Sequence, residues 1–277
     1  MNDSRIPLAA VIGSPVAHSK SPQLHNHWLK VNGLPGFYVP MDVKTDDLET
    51  VLRSLPKMGF VGANITIPHK EKVLEIADQI TDRATLIGAA NTLIFLQDGK
   101  IHADNTDGYG FISNIRQNAP DWDPAAGPAA ILGAGGAARA VVTSLLDAGV
   151  PEILISNRTR VRAEALRTDF GKRLQVIDWV QAGNMLEDAT TVVNTTSLGM
   201  IGKPPLRVPL DGLQRGALVT DLVYAPLKTR FLAEAEDLGC QIVDGLGMLL
   251  HQAVPGFERW FGVRPEVDSA TRAAALR

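Results

Sequence analysis

The chain has 277 residues, 45% hydrophobic and 21% charged, with a formal charge of −3. That balance suits a globular protein of one large or two ordinary domains and gives no electrostatic reason to expect nucleic acid or a membrane surface as partner. Cys240 is the single cysteine, which excludes a disulfide framework or a cysteine-based zinc site within one chain.

No segment is apolar for the roughly 18 residues that a membrane span needs. Met1-Asn2-Asp3-Ser4-Arg5 leads into a strand-like run without a long apolar stretch, so a cytoplasmic enzyme is expected. Residues 7–13 read as a strand, with Leu8, Val11 and Ile12 as its apolar content. Ser21-Pro22 opens a helix to about residue 32, with Ser21 as N-cap and Pro22 at the first helical position. A strand over 37–39, a helix over 46–55 and a strand over 60–67 follow; Pro68 stops that strand, and 71–77 continues as a helix. Strands over 92–96 and 100–103 flank Asp98-Gly99, a strong hairpin signal. To about residue 105 this is an α/β domain with a mainly parallel sheet.

A helical run over 109–115 and a Pro-, Gly- and Ala-rich linker over 120–128 lead into a more regular half. Six strand-like runs recur there, at 129–132, 153–156, 174–177, 191–194, 218–222 and 241–243, as in an open doubly wound sheet. A last helix runs from 246 to about 260, and the Ala-rich stretch 270–277 reads as a frayed tail.

The first of the six runs ends in Gly133-Ala134-Gly135-Gly136-Ala137. Glycines there let the backbone turn sharply and approach a ligand, and the following helix offers free N–H groups to a phosphate. In an NAD-binding unit, a carboxylate about 20 residues further on takes the ribose 2′-OH. Here that place holds Asn157-Arg158-Thr159, with Arg162 one turn on. Two arginines at spacing four share a helix face and suit a 2′-phosphate, so the expected cofactor is NADP.

Upstream, Asn64 and Thr66 fall on one side of their strand by its period of two. Pro68-His69-Lys70 would then open a helix, where positive charge is disfavoured. That is an odd place for a structural lysine and a good one for a catalytic one, although a solvated surface lysine reads equally well from spacing alone. Asp107, before the helical run, has an N-cap as its simplest explanation. Ser21 is accounted for as a cap and Ser19 is not; two hydroxyls on one turn suit a polyhydroxylated ligand. Met248 and Gln252, at i and i+4, share a face of the last helix. No metal is expected: the six histidines form no ligand pair, His25 and His27 being two apart on a helix.

Seven segments, in order, resemble the shikimate dehydrogenase family over essentially the whole chain. They are His18-Ser19-Lys20-Ser21-Pro22, Asn64-Ile65-Thr66-Ile67-Pro68-His69-Lys70, Gly88-Ala89-Ala90-Asn91-Thr92, Asn105-Thr106-Asp107-Gly108, the glycine turn, Asn157-Arg158-Thr159 and Asn194-Thr195-Thr196-Ser197-Leu198-Gly199-Met200. The resemblance implies an N-terminal substrate-binding and catalytic α/β domain over 1–107, completed by C-terminal helices in 245–277. It also implies a Rossmann-type NADP-binding domain over 108–244, with a cleft between the two.

The activity it implies is NADPH-dependent, reversible reduction of 3-dehydroshikimate to shikimate, on the route to aromatic amino acids. Lys70 would be the acid/base with Asp107 beside it, and Ser19, Ser21, Asn64, Thr66, Asn91, Asp107, Tyr224 and Gln252 would hold the substrate. Cofactor contacts would fall at Asp82, Gly133, Ala134, Gly135, Gly136, Ala137, Asn157, Arg158, Thr159, Arg162, Thr195, Leu222, Gly245 and Met248. The assembly would be a monomer or homodimer. The nearest alternative is a quinate or dual quinate/shikimate dehydrogenase, often NAD-preferring; the serine pair and the Asn157-Arg158-Thr159 run favour shikimate and NADP. A non-catalytic NADP-binding protein would not need Lys70 and Asp107 together.

Overall fold

Strand alternation sets where the cores lie. In β1 (Leu8–Gly13), Ala9 and Val11 enter one buried cluster and Ala10 and Ile12 another, so the strand is covered on both faces. The computed structural model describes residues 6–276. They fall into two compact units: the residues up to Asp107 together with those from Leu250 on, and Gly108–Leu249.

In the first unit β1 is followed by α1 (Ser21–Val31), β2 (Phe37–Asp42), α2 (Leu48–Ser54), β3 (Phe60–Ile65), α3 (Val73–Ile76), β4 (Gln79–Ile80), α4 (Asp82–Ile87), β5 (Thr92–Phe95) and β6 (Ile101–Asp104). The sheet order is β2-β1-β3-β5-β6-β4. β2, β1 and β3 are parallel, and the β5–β6 hairpin joins β3 antiparallel. β2 is longer than the expected 37–39 and carries Pro40, tolerated because the strand lies at the sheet edge.

β3 ends at Ile65, and the helix expected from residue 71 is a single turn beginning at Val73. Residues 66–72 form turns instead: the His69 N–H donates to Thr66 O at 2.9 Å and the Ala90 N–H to Lys70 O at 2.8 Å. Lys70 therefore does not stand at a helix N-terminus. α1 also differs at its start: Lys20 is the N-cap, and Ser21 is already helical.

The second unit holds α5 (Asp107–Asn118, whose first residue closes the first unit), β7 (Ala129–Leu132), α6 (Gly136–Ala148), β8 (Ile153–Ser156), α7 (Arg160–Phe170), β9 (Leu174–Ile177), β10 (Thr191–Asn194), β11 (Leu218–Asp221), α8 (Arg230–Asp237), β12 (Gln241–Val243) and the start of α9 (Leu246–His251), whose last two residues return to the first unit. Its six strands are all parallel, in the order β12-β11-β10-β7-β8-β9. This is the doubly wound order, reversing beside β7. Ala129 and Ile131 enter one core cluster, Ala130 and Leu132 the other.

The single helix expected over 246–260 is two, because Pro255 lacks the N–H that a continuous helix would use to reach the His251 carbonyl. α9 is followed by α10 (Val254–Phe261) and α11 (Ser269–Leu276). α10 seats Trp260 on the first sheet: its indole N–H donates to Leu93 O at 2.9 Å over Gly62, where a Cβ would lie 1.9 Å from that nitrogen. The stretch read as a frayed tail is α11. Asp268 caps it through the Thr271 N–H at 2.8 Å, and Thr271 and Ala275 are buried on it. The last residue of that stretch, Arg277, lies outside the described residues.

Candidate active site

The first unit gathers a polar cluster around Asp107. Lys70 Nζ donates to Asp107 Oδ2 at 2.8 Å and Asn91 Nδ2 to Oδ1 at 2.7 Å, so both carboxylate oxygens are engaged. The Asp107 N–H donates to Asn105 Oδ1 at 3.0 Å. The aspartate is thus not the helix cap that its position suggested; Asn105 makes the turn, and the Asp107 side chain is left for the lysine.

Asn91 is fixed in turn. Its Oδ1 accepts from the Thr92 hydroxyl at 2.9 Å, the Thr106 N–H at 2.9 Å and the Thr106 hydroxyl at 3.0 Å, which settles which end of the amide is oxygen. Its Nδ2 consequently faces Asp107 and, at 3.1 Å, Gln252 Oε1. The Lys70 and Asp107 side chains remain 31% and 16% exposed, so solvent and a small molecule can reach the pair.

A second layer lies under this cluster. The Tyr38 hydroxyl donates to Asn64 Oδ1 at 2.6 Å, and Asn64 Nδ2 donates to Asn91 O at 3.1 Å. The Ser19 hydroxyl, left without a role by the sequence, accepts the Ser21 N–H at 3.3 Å and so helps to start α1. Thr66, just past β3, has its backbone tied to β1 through its N–H and Ile12 O at 2.9 Å.

In the second unit the glycine turn joins β7 to α6. Gly133 has φ +111°, and a Cβ there would lie 2.6 Å from Thr195 Oγ1; a Cβ on Gly135 or Gly136 would meet nothing within 4 Å. The first glycine serves the close turn, whereas the other two leave open space at the α6 N-terminus, as an approaching phosphate requires. The Ala134 N–H donates to Asn157 Oδ1 at 3.2 Å, which ties the turn to the end of β8.

Gly133, Gly135, Asn157, Arg158, Arg162 and Thr195 line a cavity of about 660 Å³ together with residues of the stretch 196–207, among them Arg207. No carboxylate lines it. Arg158 and Arg162 do not share a helix face: Arg158 lies in the turn before α7 and Arg162 in its first turn, yet both reach the same cavity. The residues therefore fit a dinucleotide with a 2′-phosphate, glycines facing the chain of phosphates and cations where an NAD site would carry an acid.

Residues 11–93 match the shikimate dehydrogenase substrate binding domain, 121–201 the shikimate/quinate 5-dehydrogenase family and 245–275 the shikimate 5′-dehydrogenase C-terminal domain. A shikimate dehydrogenase (NADP(+)) of Cereibacter sphaeroides is 72% identical over 272 residues, 98% of each chain. The chain belongs to the shikimate dehydrogenase family. Shikimate 5-dehydrogenase from Thermus thermophilus, solved in complex with NADP(H) and shikimate, is 37% identical with a TM-score of 0.86, over 98% of each chain. Quinate dehydrogenase from Corynebacterium glutamicum, in complex with NAD, is 31% identical with a TM-score of 0.89, over 97% of this chain and 98% of that one. Fold alone does not separate the family's two activities.

Of the residues that the family resemblance marks for catalysis or substrate, Lys70 and Asp107 with Asn64, Asn91 and Gln252 form one connected cluster in the first unit. Ser19, Ser21 and Thr66 lie in that unit too, and Tyr224 follows β11 in the second unit. Gln252 sits past the end of α9, so it does not share a helix face with Met248. Among the cofactor residues, Gly133, Gly135, Asn157, Arg158, Arg162 and Thr195 line the cavity; Ala134 and Thr159 belong to the turns before α6 and α7, and Gly136 and Ala137 are the first two residues of α6.

Gly245 packs on Leu222, where a Cβ would lie 2.5 Å from the Leu222 carbonyl oxygen; Leu222 and Met248 both cover the core under β7. Asp82 is the exposed first residue of α4, in the first unit. Sequence reasoning gave no role to Tyr38, Thr92 or Arg207. Thr106 was visible within the Asn105-Thr106-Asp107-Gly108 motif, but only the fold shows that it orients Asn91. Among the described residues no group of three or more His, Cys, Asp or Glu could hold a metal, and no helix is long and apolar enough to cross a membrane.

Proposed function

We propose that the chain reduces 3-dehydroshikimate to shikimate with NADPH, reversibly, with Lys70 as the acid/base. The observation that carries this is the Lys70–Asp107–Asn91 arrangement: an ammonium held at 2.8 Å by a carboxylate that is itself held by a fixed amide. NADP bound in the second unit's cavity supplies or accepts the hydride. Arg158 and Arg162 hold its 2′-phosphate, Asn157 and Thr159 shape that wall, and Gly135 and Gly136 leave room for the linking phosphates.

As the substrate carbonyl is reduced its oxygen becomes an alkoxide, and the Lys70 ammonium gives that oxygen a proton; in oxidation the amine takes it back. Asp107 keeps Lys70 aimed, and Asn91 keeps Asp107 aimed. Ser19, Ser21, Asn64, Thr66, Asn91, Tyr224 and Gln252 present hydroxyl and amide groups to the substrate's hydroxyls and carboxylate. The 72% identical relative bears the shikimate and NADP(+) name, and the Ser19/Ser21 pair and the carboxylate-free ribose site support the same choice over quinate and NAD.

The test is reduction of NADP⁺ and of NAD⁺ with shikimate and with quinate, side by side. The shikimate–NADP⁺ pair is expected to have the highest kcat/KM; a higher value with quinate, or with NAD⁺, would overturn the corresponding half of the proposal. Arg158→Ala is expected to raise the KM for NADPH by roughly tenfold or more, the scale of a charge-assisted pair, and to leave NADH almost untouched. An equal effect on both cofactors would remove Arg158 from the 2′-phosphate site.

A further inference from the structure

We infer that Arg207 is a third guanidinium of the 2′-phosphate subsite, a specificity-determining residue supplied by the long connection between β10 and β11. The inference rests on the proposal that NADP occupies the second unit's cavity and adds a residue to it. Arg207 lines the same cavity as Arg158 and Arg162, although it comes from a different part of the chain.

Ion pairing separates the arginines of this region into two kinds. Arg160 pairs with Glu164 and Asp178, Arg167 with Glu164, and Arg139 with Asp169, and none of these three arginines lines the cavity. Arg158, Arg162 and Arg207 do line it, and among the described residues they have no ion pair or side-chain hydrogen bond. Three unpaired guanidiniums around a cavity without a carboxylate repel one another, and an anion between them relieves that repulsion.

The backbone around Arg207 is also held in place. Leu206 and Val208 on either side pack into the core cluster under β10 and β11. Pro204 and Pro205 restrict the chain just before them, and Pro204 O accepts the Gly199 N–H at 2.8 Å. With Leu206 and Val208 on either side packed inward, Arg207 is left exposed where it lines the cavity. A planar fork presented from an anchored segment loses less freedom on binding a phosphate than a lysine would.

The probes are adenosine 2′,5′-bisphosphate and adenosine 5′-monophosphate, which differ only in the 2′-phosphate. Their dissociation constants are measured by calorimetry on the full chain, for the native protein, Arg207→Gln, Arg207→Lys and Arg158→Gln. Arg207→Gln is expected to weaken the bisphosphate about tenfold and the monophosphate less than twofold, with Arg207→Lys between it and the native protein. Unchanged bisphosphate binding, or equal loss for both probes, would overturn the inference. If the native protein does not prefer the bisphosphate, the NADP assignment of this cavity fails as well. If it does, and Arg158→Gln alone abolishes the preference, only the role of Arg207 fails.

Discussion

Lys70→Ala is expected to lower kcat by at least 100-fold in both directions while the KM for shikimate stays within a few-fold, because a positioned general acid contributes roughly 10²–10⁴. The side chain is held from two directions. Its backbone carbonyl accepts the Ala90 N–H at 2.8 Å, and its Nζ is 2.8 Å from Asp107 Oδ2. Removing the amine leaves that backbone bond untouched, and Asn91 still holds the carboxylate through its Oδ1. The variant therefore keeps the other polar groups proposed to bind substrate and loses the proton donor. Steady-state kinetics with shikimate and NADP⁺ separate the two possibilities: loss of kcat identifies an acid/base, whereas loss confined to KM would make Lys70 a binding residue only. Lys70→Met, which restores most of the volume, is expected to be as slow as Lys70→Ala.

What the sequence made legible was whatever is local. Each strand of the second sheet is a short apolar run closed by glycine or polar residues, so its register on both core faces follows from alternation. β4 is two exposed residues and carries no such pattern. α4 had signals at both ends: the Thr81 hydroxyl accepts the Ala84 N–H at 3.3 Å, and Gly88 closes it with φ +73°. With only six residues between them, no hydrophobic period could develop.

The site divides the same way. Lys70 stood out in its motif, but the local reason offered for it, a helix N-terminus, is absent. Its placement depends on Asp107 and Ala90, 37 and 20 residues away in the chain, and contacts at that range leave no periodicity to read. Arg158 and Arg162 were found through an assumed shared helix face; the turn before α7 brings them to one cavity instead. Arg207 lies in a connection without regular structure, where an arginine by itself carries no signal.

Acidification is expected to destabilise the first unit through His25. Its ring is buried and stacks on Tyr38 with centroids 4.0 Å apart, with Trp28, Phe257 and Trp260 around it. Burial pushes its pKa down to about 3; Asn64 pulls the other way without reaching hydrogen-bond geometry, and neither ring nitrogen has a hydrogen-bond partner among the described residues. The unfolded chain takes up a proton near the ordinary value of 6.5, while the folded unit resists until about pH 3. Stability is therefore fully present above pH 6.5 and falls as the pH drops, by about 1.4 kcal/mol per pH unit from this residue alone. That amounts to about 3 kcal/mol between pH 6.5 and 4.5.

Burial also lowers His251 in the same unit, to about 4, with Arg264 adding to the effect, so its contribution has the same sign. Asp221 at the end of β11 has the opposite sign. Burial raises it to about 6 against donors from Thr229, Val223 and Asn194, so its contribution in the second unit is fully present below 3.8 and is lost as the pH rises through 6. The check is urea unfolding of the native protein and of His25→Phe at half-unit steps from pH 4.5 to 7. His25→Phe keeps an aromatic ring in the stack, so its unfolding free energy should fall less steeply with acid, by about 1.4 kcal/mol per pH unit. Hydrogen exchange of the two sheets assigns the change to its unit: protection of β1 and β3 should respond, and that of β7 and β10 should not. Parallel pH profiles for the two proteins would mean that His25 takes up its proton at the same pH in the folded as in the unfolded chain, and that the aromatic pocket tolerates an imidazolium.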